Sequence, residues 1–372
     1  MSNFFIKETE EWKNEEAKKI LWNLLQTSEN YLYLIWAWCS VESWWKTMST
    51  LWTKFSSDIL DFETLKNETW YSWENLEELL TKIKISENYF ENQGISKITE
   101  KEKMKNFREE IEKKLKAHCN DDIILWWNSI HWNFISKITN SRKLSHPRTK
   151  IFTLNYDTLF ENAWNQWGHT IIDWFSFSIP RIFDWTKFDL DIVKRNKNYL
   201  EKEDNFEKKV FHLYKLHGSV NWEEGKDWKI IQKDKAKWKL IYPWSSKYEE
   251  SYEMPYFEMI SRFQQELRKE NVTLNIIWYS FSDSHINSMI LEAFKTNPSL
   301  RLVIVWTTIF DETNKNIKEE KVKILNEWLK MDRVFLFNMY FEPFVELLPL
   351  KEIKTKEEIM FEALNKINNT AI

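Results

Sequence analysis

Phe211-His-Leu-Tyr-Lys-Leu-His-Gly-Ser-Val-Asn-Trp222 is the stretch from which the architecture is best read. It opens as an alternating apolar run and closes on His217, Gly218 and Ser219. Period-two alternation followed by a glycine turn predicts a strand that delivers a residue to the rim of a sheet. In an open α/β sheet that rim is where ligands bind. A histidine there titrates near neutrality and can accept or donate a proton. Taken alone, His217 equally suits a strand-end histidine satisfied by hydrogen bonds, so the flanking sequence has to decide.

Upstream, residues 150–154 predict a second parallel strand that ends in Thr153-Leu-Asn-Tyr-Asp157, with a helix over 158–165. Residues 30–35 (NYLYLI) are nearly continuous apolar, as in a central parallel strand. They run into Trp36-Ala-Trp-Cys-Ser40 and a helix through residue 55, a strand–loop–helix unit. Downstream, strands over 272–277, 300–305 and 333–337 alternate with helices over 283–295, 315–329 and 341–347. Such alternation predicts an α/β fold: a Rossmann-like parallel sheet with helices on both faces. Residues 1–28 read as one amphipathic helix, with Ile20, Leu21, Leu24 and Leu25 on a shared face. Residues 170–210 read as an irregular surface excursion and 228–232 with 238–242 as a hairpin. A helix over 254–269 opens at Pro255. Residues 56–146 read as a mainly helical insertion. The expected organisation is therefore a Rossmann-like domain from 1–55 and 147–372, interrupted by a helical module at 56–146.

The 372 residues are 43% hydrophobic and 30% charged, enough to bury a core and too much to stay disordered. The net charge of −4, with Lys and Glu mixed along the same segments, argues against a basic nucleic-acid surface. No apolar run approaches a membrane span, and the charged first 19 residues lack a signal-peptide core, so a cytoplasmic protein is expected. Cys39 and Cys119 cannot form a four-thiolate zinc site, and His118, His131 and His146 match no metal motif. No metal is expected. The charged run over 100–116 reads as a solvated helix face supported by i,i+4 pairs.

The composition is abnormal in one respect. There are 4 glycines and 23 tryptophans. Together they match the roughly 26 glycines expected at the usual ~7% of a chain.

Three predicted strand ends carry polar residues: Asn155 with Asp157, His217 with Ser219, and Ser280-Phe-Ser-Asp283. This combination resembles the sirtuin-like NAD-consuming family, in particular its bacterial NAD-hydrolysing branch. The residues that carry the resemblance are Thr153-Leu-Asn-Tyr-Asp157, Lys215-Leu-His-Gly-Ser219, Trp278-Tyr-Ser-Phe-Ser-Asp283 followed by His285, and Trp36-Ala-Trp-Cys-Ser40. The last fits only if Trp36 and Trp38 stand at family glycine positions. The segment from Asn75 to Leu80 is similar to a helix motif of the same branch. The resemblance spans about 32–348, and its order and spacing are more specific than any one motif.

The resemblance implies that NAD is bound as a substrate, with no zinc, and cleaved to nicotinamide and ADP-ribose. It implies a role in antiviral defence by NAD depletion. His217 would be the catalytic histidine, and Asn155 would lie near the nicotinamide ribose. Trp36, Ala37, Trp38 and Ser40 would hold the pyrophosphate. Asp157, Ser219, Trp278, Ser280 and Ser282 would line the rest of the nucleotide site. Cleaving the bond to nicotinamide builds positive charge on the ribose, as in glycoside cleavage. A neutral amide can orient hydroxyls or water there without titrating. Read without the resemblance, Asn155 suits an Asx-type turn and Asp157 a helix N-cap. An NAD-dependent protein deacylase is a second reading, set back by the missing zinc cysteines. A non-catalytic nucleotide-sensing or assembly subunit is a third. A homo-oligomer or a partner subunit remains open as the activator, with no nucleic acid or membrane partner expected.

A pyrophosphate loop needs glycine because backbone N–H groups must approach the phosphates and some positions need φ > 0. Trp36, Trp38, Trp44, Trp45, Trp278 and Trp306 stand where glycine would serve. Some bacteria read UGA as glycine, and translation of such codons as Trp would give this composition in an AT-rich genome. Trp222 is expected to be genuine, as an aromatic commonly follows His-Gly-Ser-x-Asn in the family.

Overall fold

A computed structural model describes residues 4–6, 11–36, 76–92, 98–120, 130–143, 146–165, 169–193, 206–225, 229–233, 238–240, 255–281, 283–307, 310–311, 316–317 and 333–349. Eight strands form one sheet: β1 (Phe4–Ile6), β2 (Asn30–Ile35), β3 (Thr149–Thr153), β4 (Thr170–Ile172), β5 (Val210–Lys215), β6 (Val272–Ile277), β7 (Arg301–Val305) and β8 (Val334–Asn338). Their order is β1-β8-β7-β6-β2-β3-β5-β4, and every neighbouring pair is parallel. β3, β5 and β6 are buried along their whole length, as strands covered on both faces must be.

The eight α-helices described are α1 (Glu11–Thr27), α2 (Leu76–Asn92), α3 (Ile98–Asn120), α4 (Ile130–Asn140), α5 (Leu159–Asn165), α6 (Tyr256–Leu267), α7 (Ser284–Thr296) and α8 (Phe341–Leu347). Successive side chains of a strand point to opposite faces. Tyr33 and Ile151 are register partners, and on their face the ring of Tyr33 meets Phe134 of α4 edge-on at 5.1 Å. The next residue of β3, Phe152, turns to the other face, stacks on Tyr214 at 4.4 Å and meets Phe263 of α6 at 4.8 Å. Helices therefore cover both faces, which makes the architecture Rossmann-like. α2 and α3 pair through Arg108, which bridges Glu87 at 2.8 Å and Glu112 at 3.0 Å. Among the described residues no helix is long and apolar enough to cross a membrane.

Four sequence expectations need correction. Phe4–Ile6 is a strand, pairing in register with 336–338, so the first 28 residues are not one helix. Sheet pairing overrides helical patterning there, as it does for many short segments. The 170–210 excursion contains β4, which extends the main sheet, and the strand Arg181–Ile182. The two predicted hairpin arms do not pair with each other. Ile230–Gln232 and Trp238–Leu240 lie on opposite sides of Gly218–Glu224, with Arg181–Ile182 beyond, in a second sheet of four strands. Finally, Asn316–Ile317 pairs antiparallel with Phe310–Asp311, so the helix expected from 315 does not begin there. Its remainder, over 318–329, lies outside the described residues, as does the helix expected through residue 55.

Candidate functional site

The carboxyl ends of five strands lie level. Ile35 is in register with Thr153 and Ile277, Thr153 with Lys215, and Ile277 with Val305. The ladder continues one residue further: Trp36 N donates to Ile277 O, Leu154 N to Ile35 O, Leu216 N to Thr153 O and Trp278 N to Val305 O. From β2 the chain moves through β3 towards β5; from β6 it moves through β7 towards β8. The direction therefore reverses between β2 and β6, the point at which an open α/β sheet leaves a crevice for a ligand.

The turn after β3 and the segment after β5 are fastened together. Asn155 is buried, and its backbone N–H donates to Thr153 Oγ1 at 3.0 Å. Val220 N and Ser219 Oγ both donate to Tyr156 O, at 3.0 and 3.4 Å. Lys215 Nζ donates to the carbonyl of Asp157 and pairs with Glu161 at 2.9 Å. Burial pushes the Glu161 carboxyl up, and the Lys215 ammonium opposes that push. Asp157 Oδ1 accepts from Leu159 N at 3.0 Å, an Asx-type turn that leads into α5. Ser219 is fully buried and braces the same turn.

His217 is only 4% exposed. Its ring lies 6.3 Å from that of Tyr156, and its Nε2 lies 3.1 Å from Oδ2 of Asp283. Asp283 belongs to the segment after β6, with β2 and β3 between β6 and β5 in the sheet. The two segments thus close over the strand ends to meet. Asp283 Oδ1 meanwhile accepts from His285 N and Ile286 N, capping α7. The Tyr279 hydroxyl lies 2.9 Å from Asp283 O and 2.8 Å from Asn287 Oδ1, and Asn287 Nδ2 donates to Phe281 O. The segment that carries Asp283 is laced to the helix it caps.

The expected site residues thus divide into two groups. Asn155, Asp157, His217, Ser219, Trp278 and Ser280 stand on one edge, together with Trp36. Ala37, Trp38, Ser40 and Ser282 lie outside the described residues. Asp283 was visible in the sequence as a polar strand-end residue. Nothing in the sequence, however, paired it with His217. Its signal was a carboxylate directly before a helix, a feature that N-caps share.

Indoles gather at the strand ends of this edge. Trp278 is 3% exposed, lies 5.0 Å from Trp306 and stacks on Tyr340 at 5.4 Å. Trp36 meets Tyr279 edge-on at 5.9 Å. Trp278 has φ = 54°, and Trp174 has φ = 72°. Bulky residues are true outliers at such angles. The Trp174 indole is otherwise well placed, stacked on Phe188 at 4.0 Å and donating to Leu213 O at 2.8 Å. Among the described residues no three His, Cys, Asp or Glu side chains gather as a metal site.

Residues 149–329 match the family described as the SIR2-like domain. That span holds β3, β5, β6, Asn155, His217 and Asp283. Among curated proteins none matches the chain. Among solved structures, one of a Sir2 His-to-Ala variant with deacetylated p53 peptide and 3′-O-acetyl ADP-ribose is similar at 10% identity, with a TM-score of 0.39, over 89% of this chain and 96% of that one. A likeness of that size carries no argument about chemistry.

Proposed function

We propose that this chain is a sirtuin-like NAD glycohydrolase that releases nicotinamide and ADP-ribose. The observation that carries the reading is the fastening of the Asn155 turn to the His217 segment at the switch-point edge, within the span similar to the SIR2-like domain. In the proposed step the bond from ribose C1′ to nicotinamide breaks and a water oxygen bonds to C1′. His217 takes the proton that this water gives up, a contribution of about 10²–10⁴-fold for general bases. Asn155 orients the ribose hydroxyls or the water. We place the chain in the cytoplasm, in antiviral defence by NAD depletion, and divide it as a Rossmann-like unit with a helical insertion.

As the sequence stands, indoles sit at three strand ends of this edge, Trp36, Trp278 and Trp306, where a pyrophosphate loop wants glycine. We therefore propose further that Trp36, Trp38, Trp278 and Trp306 are glycine in the biological polypeptide, through UGA codons read as glycine. The left-handed backbone at Trp278 supports this, as does the paired abundance of the two residue types. UGG codons at these positions would remove the idea.

The test is nicotinamide release from NAD by protein made with glycine at those four positions. Turnover that is lost in His217→Ala supports the hydrolase. ADP-ribose binding without turnover would favour a sensing subunit instead, and turnover only with an acylated peptide would favour a deacylase.

A further inference from the structure

We propose that Asp283 is a positioning residue that fixes the proton of His217 on Nε2 and so makes Nδ1 the proton acceptor. This rests on the hydrolase reading for its activity readout, but not for its geometry. The Asp283 carboxyl makes two kinds of contact at once. Its Oδ1 accepts from His285 N at 3.0 Å and Ile286 N at 3.3 Å, and its Oδ2 lies 3.1 Å from His217 Nε2. Two backbone N–H donors at a helix N-terminus suit a carboxylate. A carboxylate only accepts, so Nε2 must be the nitrogen that donates. The neutral ring then carries its lone pair on Nδ1, because the tautomer is set by the bond its other nitrogen makes. Both groups are almost fully buried, at 4% and 3% exposed, so water competes little for either. The Tyr279 and Asn287 contacts hold the Asp283 segment against α7, which keeps the carboxylate from swinging away.

The geometry also dictates what an amide would do in its place. In Asp283→Asn the carbonyl oxygen keeps the two capping bonds, since only it can accept them. The NH₂ group then replaces Oδ2 and presents a donor to Nε2. The ring has to answer with an acceptor, so its proton moves to Nδ1 and the reactive nitrogen is blocked. The fold should be spared, because asparagine is as good an N-cap as aspartate.

The experiment compares the full-length glycine-restored protein with its Asp283→Asn form. Nitrogen-15 spectra of labelled histidine read the tautomer in the absence of ligand. The chain has seven histidines, and the His217 signals are identified by their loss in His217→Gln. The parent should carry its proton on Nε2 and Asp283→Asn on Nδ1. The kcat for nicotinamide release should fall about 100-fold or more in Asp283→Asn, with KM changed less than about threefold and the denaturation midpoint kept. Asp283→Ala, which also loses the cap, should lose stability as well as rate, and so shows what a folding defect looks like. A parent proton on Nδ1, or an Asp283→Asn protein with kcat within about threefold of the parent, overturns the proposal. A parent that consumes no NAD defeats the hydrolase reading instead, and the tautomer spectrum then decides the positioning role by itself.

Discussion

Lys215 and Glu161 form a largely buried ion pair, 2.9 Å from Nζ to Oε1, that ties the end of the strand leading to His217 to the helix following the asparagine turn. The same ammonium donates to the Asp157 carbonyl, so one side chain fixes two segments of the site.

Removing that ammonium should therefore be costly. Breaking a buried pair from one side strands the other charge and typically costs about 3–5 kcal/mol. We expect Lys215→Met to lose about 3 kcal/mol in urea denaturation, and Glu161→Gln added to it to recover part of the loss. A Lys215→Met protein within about 0.5 kcal/mol of the parent would contradict this.

Trp278 offers a test of backbone strain with a diagnostic sign. At φ = 54° a Cβ is unfavourable by about 1–2 kcal/mol, whereas glycine is not penalised. At ordinary positions alanine is the more stable of the two. Here Trp278→Gly should exceed Trp278→Ala by about 1 kcal/mol in equilibrium unfolding. The opposite order would show that glycine is not wanted at this position.

Much of the candidate site's placement was legible because its residues follow strands. Continuous apolar runs located β2, β3, β6, β7 and β8 within a residue or two, and the motifs Thr153–Asp157 and Lys215–Ser219 begin on the last residues of β3 and β5. The His217–Asp283 contact was not legible. It joins segments 66 residues apart, and it depends on loops crossing two intervening strand ends. The short strands Phe4–Ile6 and Arg181–Ile182 escaped for a related reason. Two or three residues have no periodicity of their own, and only the neighbouring strand makes them extended.

His212 predicts a pH dependence of stability. Burial, and then the cations Lys150, Arg148, Arg142 and Lys269, hold its pKa well below the ordinary 6.5. Its ring lies edge-on to Trp174 at 4.9 Å. The folded state keeps it neutral while the unfolded state protonates it, so its contribution is full above about pH 6.5 and is lost as the pH falls further. His169, pushed down to about 4 mainly by burial, acts in the same direction. Replacing His212 with Phe should flatten the fall in Tm between about pH 7.5 and 5. An unchanged slope would contradict the assignment.

The asparagine turn should matter to rate more than to fold. Asn155→Ala leaves the backbone bond to Thr153 Oγ1 in place, so the turn should persist and circular dichroism should report the parental fold. Nicotinamide release should nevertheless fall by at least about tenfold, the usual lower range for a lost orienting group. A variant with parental turnover would remove Asn155 from the reaction.

The most direct measurement is nicotinamide released per molecule of full-length protein carrying glycine at 36, 38, 278 and 306. Steady release that disappears in His217→Ala, with the fold intact by circular dichroism, is the predicted result. Release that persists undiminished without the His217 imidazole would contradict the account.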